Sequence, residues 1–102
     1  MSIFVEGTFP VAIKVLDGQT ELKLKKFKLK AITLEEALAA QQGLTNSHYV
    51  GIAELCAATE LLDDDGKSYA LEYDSLIKSS SQNFKELESK KVALDLKEAA
   101  ES

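Results

Sequence analysis

The residues best suited to chemistry in this 102-residue chain are an aspartate cluster, one histidine and one cysteine. If Gly66 is the glycine at position 6 of a calcium-binding loop, Glu72 falls at position 12, where such loops place a bidentate glutamate. Position 1, however, is Leu61, which has no side-chain oxygen to offer a calcium ion. We therefore interpret Asp63–Gly66 as an acidic turn that ends a helix, and we assign no metal ligand there.

The histidine and the cysteine lack the neighbours that catalysis requires. His48 follows Ser47, but adjacent residues on a helix do not face each other, so they cannot act as base and nucleophile. Cys56 has no basic residue nearby in sequence to favour a thiolate. We expect an exposed histidine at a helix start and a buried cysteine. The sequence also has no glycine-rich phosphate loop and no Cys/His metal spacing. We therefore predict a non-enzymatic protein and assign no catalytic, cofactor-binding or metal-binding residue.

Charge is unevenly distributed along the chain, whose formal net charge is −5. Residues 1–32 carry six lysines and three acidic residues, a net +3, whereas residues 33–102 carry six lysines and 14 acidic residues, a net −8. No basic residue is arginine, the side chain best suited to reading phosphates and guanine edges. An acidic body without arginine argues against a nucleic-acid partner.

Cellular location is inferred from apolar runs and cysteine usage. No apolar run approaches the ~20 residues needed to cross a bilayer, so we expect no membrane partner. The single cysteine allows no intrachain disulfide, and residues 1–7 lack a secretory pattern. These features favour a reducing cytoplasm.

The N-terminal third is predicted to form a β-hairpin over about residues 9–30. Val11–Val15 is rich in β-branched residues, which favour strands, and Asp17-Gly18 is a strong hairpin turn signal. In the return strand the apolar positions change from even at Leu24 to odd at Phe27. We predict a β-bulge near Lys25-Lys26, because a bulge keeps both sets of apolar side chains on one face.

The lysines of this hairpin would then share one face. The simplest interpretation is a solvated surface that resists edge-to-edge aggregation. A surface that attracts acidic partners or membrane lipid remains an alternative.

Three or four helices are predicted over about residues 33–99. Thr33 and Glu36 have the spacing of a capping box, so they mark the start of the first helix. A second helix is predicted from about residues 45–47 to Leu62, and a short one around Leu76. The predicted fold is α+β: one domain across residues 1–102, a hairpin followed by helices, with the longest helix at the C-terminus.

The last helix, predicted over about residues 82–99 with Ser81 as its N-cap, has two apolar stripes. One consists of Phe84, Leu87 and Leu94, and the other of Val92, Leu96 and Ala99. Together they cover about half of the helix circumference, wider than the ~100° that one core contact needs. Either both stripes lie in a deep groove of their own domain, or one binds a partner. Our hypothesis is that Val92, Leu96 and Ala99 bind the partner.

Several stretches resemble the tail assembly chaperone family of contractile-tailed phages and prophages. They are Leu22–Phe27 leading into Thr33–Ala40, then Gly51–Cys56, and Leu71–Ile77 before the last helix. The resemblance covers roughly residues 10–95 and rests on the order of a hairpin and helices. It implies a protein without catalytic activity that binds the long tape measure protein in the bacterial host cytoplasm before the tail tube polymerises. It also often implies a second, longer product made by frameshifting.

A tape measure protein is long, helical and striped with apolar residues. A small acidic protein with a broad apolar helix face could cover such stripes and keep the complex in solution. The expected partner is therefore the tape measure protein, with the tail tube protein and a second copy of this chain as further candidates. Two alternatives stay open: a structural virion component of the tail or baseplate, and an enzyme or metal-binding regulator built on Asp63–Gly66.

Overall fold

A computed structural model describes residues 3–101, which form a four-stranded antiparallel sheet and four helices. The strands, in their order across the sheet, are β1 (Phe4–Asp17), β2 (Thr20–Lys30), β3 (Thr59–Leu62) and β4 (Ser68–Ala70). The helices are α1 (Leu34–Ala40), α2 (Val50–Ala58), α3 (Tyr73–Ile77) and α4 (Ser81–Glu101). The predicted α+β class, with an N-terminal hairpin and a long C-terminal helix, is confirmed. The predicted domain of residues 1–102 also includes residues 1, 2 and 102, which lie outside the described residues.

The hairpin turns where the sequence predicted, but its first strand begins earlier. Asp17 pairs with Thr20, and Gly18 has a φ of 66°. A positive φ at only the first of two turn residues is typical of the type II′ turn, which matches the twist of the flanking strands. β1 begins at Phe4 rather than near residue 9, even though Gly7 is a residue type that strands disfavour.

The predicted bulge is present, but its extra residues lie in β1. Thr8 pairs with Lys26 and Ile13 pairs with Leu24, so residues 9–12 stand opposite a single β2 residue. Leu24 and the next apolar residue of β2, Phe27, are both buried. The apolar positions of β2 change from even to odd numbers at this irregularity, and the apolar side chains on both sides of it enter the same core, as the sequence predicted.

The prediction that the second helix continues to Leu62 is wrong. α2 begins at Val50 and ends at Ala58, and the next four residues form β3, in which Leu61 pairs with Phe27 of β2. Both of these side chains are fully buried. Pairing with a distant strand has overridden the local helical pattern, as tertiary packing commonly does in short apolar segments. The predicted helical region of residues 33–99 thus contains a second hairpin, β3–β4.

The core lies between one face of the sheet and the helices. Phe9 and Phe27 stack at its centre, with ring centroids 4.3 Å apart. α4 packs along β1 and contributes Leu87 and Leu94, both buried in this core.

Asp17, at the tip of the first hairpin, reaches the opposite edge strand. Its Oδ2 accepts a hydrogen bond from the Tyr69 hydroxyl at 3.2 Å and lies 3.4 Å from Lys67 Nζ. β1 and β4 are the two ends of the strand order, so the sheet curls strongly. The bulge in β1 explains the curl, because bulges bend the strand that carries them.

Asn83 attaches the start of α4 to the irregular part of β1. Its side chain is fully buried; Oδ1 accepts from the Val11 amide at 3.0 Å, and Nδ2 donates to the Val11 carbonyl at 2.9 Å. The helix begins at Ser81, and Ser80 Oγ accepts from the Gln82 amide at 3.2 Å. The N-cap is therefore Ser80, one residue before the predicted Ser81.

Candidate partner-binding groove

The aspartate cluster forms the turn between β3 and β4, not the end of a helix as predicted. Asp63 Oδ1 accepts hydrogen bonds from the amides of Asp65 at 2.9 Å and Lys67 at 2.8 Å, and Gly66 has a φ of 86°. One carboxylate oxygen of Asp63 is thus used to hold the turn. Among residues 3–101, no group of three or more His, Cys, Asp or Glu side chains is placed to hold a metal ion. That the turn does not bind calcium tightly stays a prediction.

His48 has a structural role in the turn before α2. Its Nδ1 accepts a hydrogen bond from the Thr45 amide at 3.0 Å, and its ring lies edge-on to Tyr73 with centroids 4.9 Å apart. The side chain is half-buried, so the expectation of an exposed histidine is wrong. The reason is a tertiary contact with α3, which local sequence does not reveal.

Cys56 is buried, as predicted, on the inner side of α2. Burial, with a smaller contribution from the negative charge of Glu72, raises the pKa of the Cys56 thiol to about 12. At neutral pH this cysteine is a protonated, apolar part of the core, because only the thiolate is an effective nucleophile.

An open groove of about 780 Å³ lies between the end of β2 and helices α1, α2 and α4. We call it the helical groove. Its apolar lining comes from the segment after β2 and from the three helices, and includes Ile32, Leu34, Ala37, Ile52, Leu55, Phe84 and Val92. Its charged lining consists of Lys30, Glu54, Glu88, Lys91 and Glu98. Apolar walls with a charged rim are typical of sites that bind an amphipathic helix.

α1 forms one wall of the helical groove because its start is fixed by the capping box. Thr33 Oγ1 accepts from the Glu36 amide at 3.1 Å, and the Glu36 carboxylate accepts from the Thr33 amide at 3.0 Å. None of the seven residues of α1 is buried. The apolar side of this helix, including Leu34 and Leu38, therefore remains exposed instead of entering the core.

α4 forms the opposite wall, and the structure separates its two predicted stripes only in part. Leu87 and Leu94 are buried in the core, as expected for the body stripe. Phe84, predicted to pack with them, is half-buried and lines the helical groove.

The predicted partner-binding residues Val92, Leu96 and Ala99 are all exposed. Only Val92 lines the helical groove, across from Leu34 and Tyr49. Leu96 lies about 40° round the helix from Val92, and Ala99 lies about 20° from Val92 on the other side, two turns further along α4. Both are outside the lining of the helical groove. That these three residues bind a partner stays a prediction.

Sequence reasoning missed the contribution of α1 and α2 to this surface. Tyr49 is exposed and immediately precedes the first residue of α2. Leu34, Ala37 and Leu38 have the spacing of one helical face. Only the position of α1, packed on α2 at the margin of the fold, shows that this face is left open.

The lysines of the first hairpin are largely engaged with neighbouring side chains. Lys26 pairs with Asp64 at 3.5 Å and Lys30 with Glu60 at 3.3 Å. Lys28 Nζ lies 4.0 Å from the centroid of the Phe4 ring. These contacts weaken the positive electrostatic field that the lysines would present to an acidic partner. They therefore favour the interpretation of a solvated sheet surface.

Comparisons of the chain with protein-family models, with curated proteins and with solved structures found no match. Within residues 3–101, no helix combines the length and the apolar character needed to span a membrane. The groove geometry and the sequence resemblance therefore carry the functional argument.

Proposed function

We propose that this protein is a phage tail assembly chaperone, without enzymatic activity, that binds the tape measure protein in the bacterial host cytoplasm. The observation that carries the proposal is a set of exposed apolar side chains in the lining of the helical groove and on the adjoining outer side of α4. Four of its large side chains are mostly exposed: Leu34 at 75%, Leu96 at 69%, Tyr49 at 66% and Val92 at 61%. Clustered exposure of this kind in a small domain marks an interaction site.

The physical basis of the proposal is burial of this surface by an amphipathic helix. Covering Val92 and Leu96 would contribute at most about 1.5–3 kcal/mol each. A helix laid in the groove would also contact Leu34 and Tyr49 from the opposite wall. The free energy of burial is offset in part by the entropy cost of ordering the partner, so the net affinity is moderate. Moderate affinity suits a chaperone that the tail tube must later displace.

The composition supports the same role. A formal net charge of −5 keeps a complex with an apolar-striped partner in solution by mutual repulsion between copies. The resemblance to the tail assembly chaperone family supplies the identity of the partner.

The proposal is tested by a pull-down of the tape measure protein. We expect that protein to be encoded by a long reading frame immediately downstream of the gene. The double variant Val92→Asp/Leu96→Asp should lose the interaction and retain the wild-type circular dichroism melting curve, since neither side chain is buried. Leu16→Asp is the matched control, because Leu16 is 71% exposed at the tip of the first hairpin and outside the helical groove.

Two outcomes would contradict the assignment. A double variant that melts like an unfolded chain would place both stripes of α4 in the core. A folded double variant that still binds would move the site elsewhere, with the lysines of the first hairpin as the next candidate.

A further inference from the structure

We infer that the helical groove selects a partner helix of about four turns whose apolar stripe is flanked by basic residues. The inference rests on the proposed function and specifies the chemistry of the bound segment. It comes from the charges at the rim of the groove, which comprise three glutamates and two lysines.

Both rim lysines already have acidic partners outside the groove. Lys30 pairs with Glu60 at 3.3 Å, and Lys91 pairs with Asp95 one turn further along α4. Their charges are therefore balanced within the chain. They are poorly placed to attract an acidic partner.

The three rim glutamates have no such compensation. In the described part of the chain, no lysine lies within ion-pair distance of Glu88 or Glu98. Glu54 accepts a hydrogen bond from the neutral side-chain amide of Gln41 at 3.0 Å, which leaves its charge uncompensated. The rim thus presents negative charge on α2 and α4, on both sides of an apolar floor.

The length of the groove sets the length of the segment. Along α4 the lining runs from Phe84 to Glu98, a distance of about 21 Å at ~1.5 Å per residue. A bound helix of about 14 residues would match it. Apolar side chains every third or fourth residue would lie on the floor, and lysine or arginine side chains on either side would meet the glutamates.

A second copy of this chain fits the groove less well. The side of its own α4 that lines the groove carries Glu88 and Glu98 as well as Val92. Pairing two such surfaces would bring glutamates from each copy to the same rim, and like charges across an interface disfavour association.

The inference is tested with two synthetic helical peptides of identical apolar stripe, one flanked by lysines and the other by glutamates. Binding to the full chain is measured by fluorescence anisotropy at low and high salt. The lysine peptide should bind about tenfold more tightly at low salt, as expected for a few exposed charge pairs. The difference should shrink as salt screens these charges.

The variant Glu88→Lys/Glu98→Lys should reverse the preference, and Glu21→Lys, on the exposed part of β2, should leave it unchanged. The inference would be overturned if the two peptides bound equally or if neither bound. It would also be overturned if Glu88→Lys/Glu98→Lys still preferred the lysine peptide. A stable dimer, detected by sedimentation, that excludes both peptides would overturn it as well.

Failure here is separable from failure of the proposed function. If the peptides show no charge preference but the tape measure protein is still captured and is lost in Val92→Asp/Leu96→Asp, the proposed function stands and the charge inference fails. If the tape measure protein is not captured by the wild-type chain, both fail.

Discussion

Thr33 and Glu36 show how much a local motif can decide by itself. Each supplies the hydrogen bond that the backbone of the other needs at the start of α1. The motif is visible in four consecutive residues, and both partners are exposed. Because no distant contact is required, sequence and structure agree on this detail.

We expect Thr33→Ala to lower the free energy of unfolding by about 0.5–2 kcal/mol, because the helix loses its N-cap acceptor. Urea denaturation followed by circular dichroism measures the change. Thr33→Ser is the matched control and should retain most of the stability, since it keeps the hydroxyl. An unchanged midpoint in the alanine variant would show that the cap contributes nothing to the fold.

The same motif should make stability depend on acid. The hydrogen bond from the Thr33 backbone, followed by that from its side chain, lowers the pKa of Glu36 below its ordinary value of 4.5. A lowered carboxyl pKa in the folded state adds stability above the unfolded pKa, and this is lost as pH falls through the folded pKa. As pH falls through the lowered pKa of Glu36, wild type and Glu36→Gln should therefore converge in denaturation midpoint, whereas at pH 7 the wild type should be more stable. A constant difference at both pH values would contradict this.

At the scale of elements, the least regular segment of the sheet organises the fold. Residues 9–12 leave the β1–β2 ladder, and Asn83 of α4 takes the place of a strand partner for Val11. Nearby, a Cβ built on Gly7 would lie 2.5 Å from Phe27, so the regular part of β1 needs a residue without a side chain. Both features fix the position of α4 on the sheet, and with it one wall of the helical groove.

Asn83→Leu should lower the free energy of unfolding by about 1–3 kcal/mol, because it leaves the Val11 amide and carbonyl without their side-chain partner. Asn83→Asp should be at least as destabilising at neutral pH, since it buries a carboxylate and sets one of its oxygens against the Val11 carbonyl oxygen. Asn46→Leu, in the exposed loop before α2, is the control. Equal stability of the Asn83 and Asn46 variants, measured by urea denaturation, would show that the buried contact is not important.

For the molecule as a whole, the arrangement is a curled sheet with helices over one face and an open groove between them. Under the proposed function, the protein would act during assembly and would be displaced when the tube covers the tape measure protein. A structural component of the tail or baseplate would stay in the particle.

We therefore expect the protein to be present in lysates during tail assembly and absent from purified particles. Quantitative mass spectrometry of both fractions makes the measurement, with the tail tube protein as the positive control. Recovery in particles at a fixed ratio to the tube protein would favour the structural alternative over the chaperone.

The sequence alone was sufficient wherever the controlling interaction is short in range. The turn between Asp17 and Thr20 depends on the backbone freedom of Gly18, which has a φ of 66°. The capping box depends on two side chains three residues apart. The parity change in β2 indicated a bulge, because one buried face requires all apolar side chains on the same side.

Only the tertiary structure decided the features that depend on distant partners. Thr59–Leu62 forms a strand because β2 offers it an edge and a buried neighbour. The bulge fell in β1 rather than β2 because Asn83, 72 positions from Val11, satisfies the backbone there. The helical groove exists because α1 packs at the margin and buries none of its residues. A helical pattern predicts which residues share a face, but the position of the neighbouring elements determines whether that face is buried.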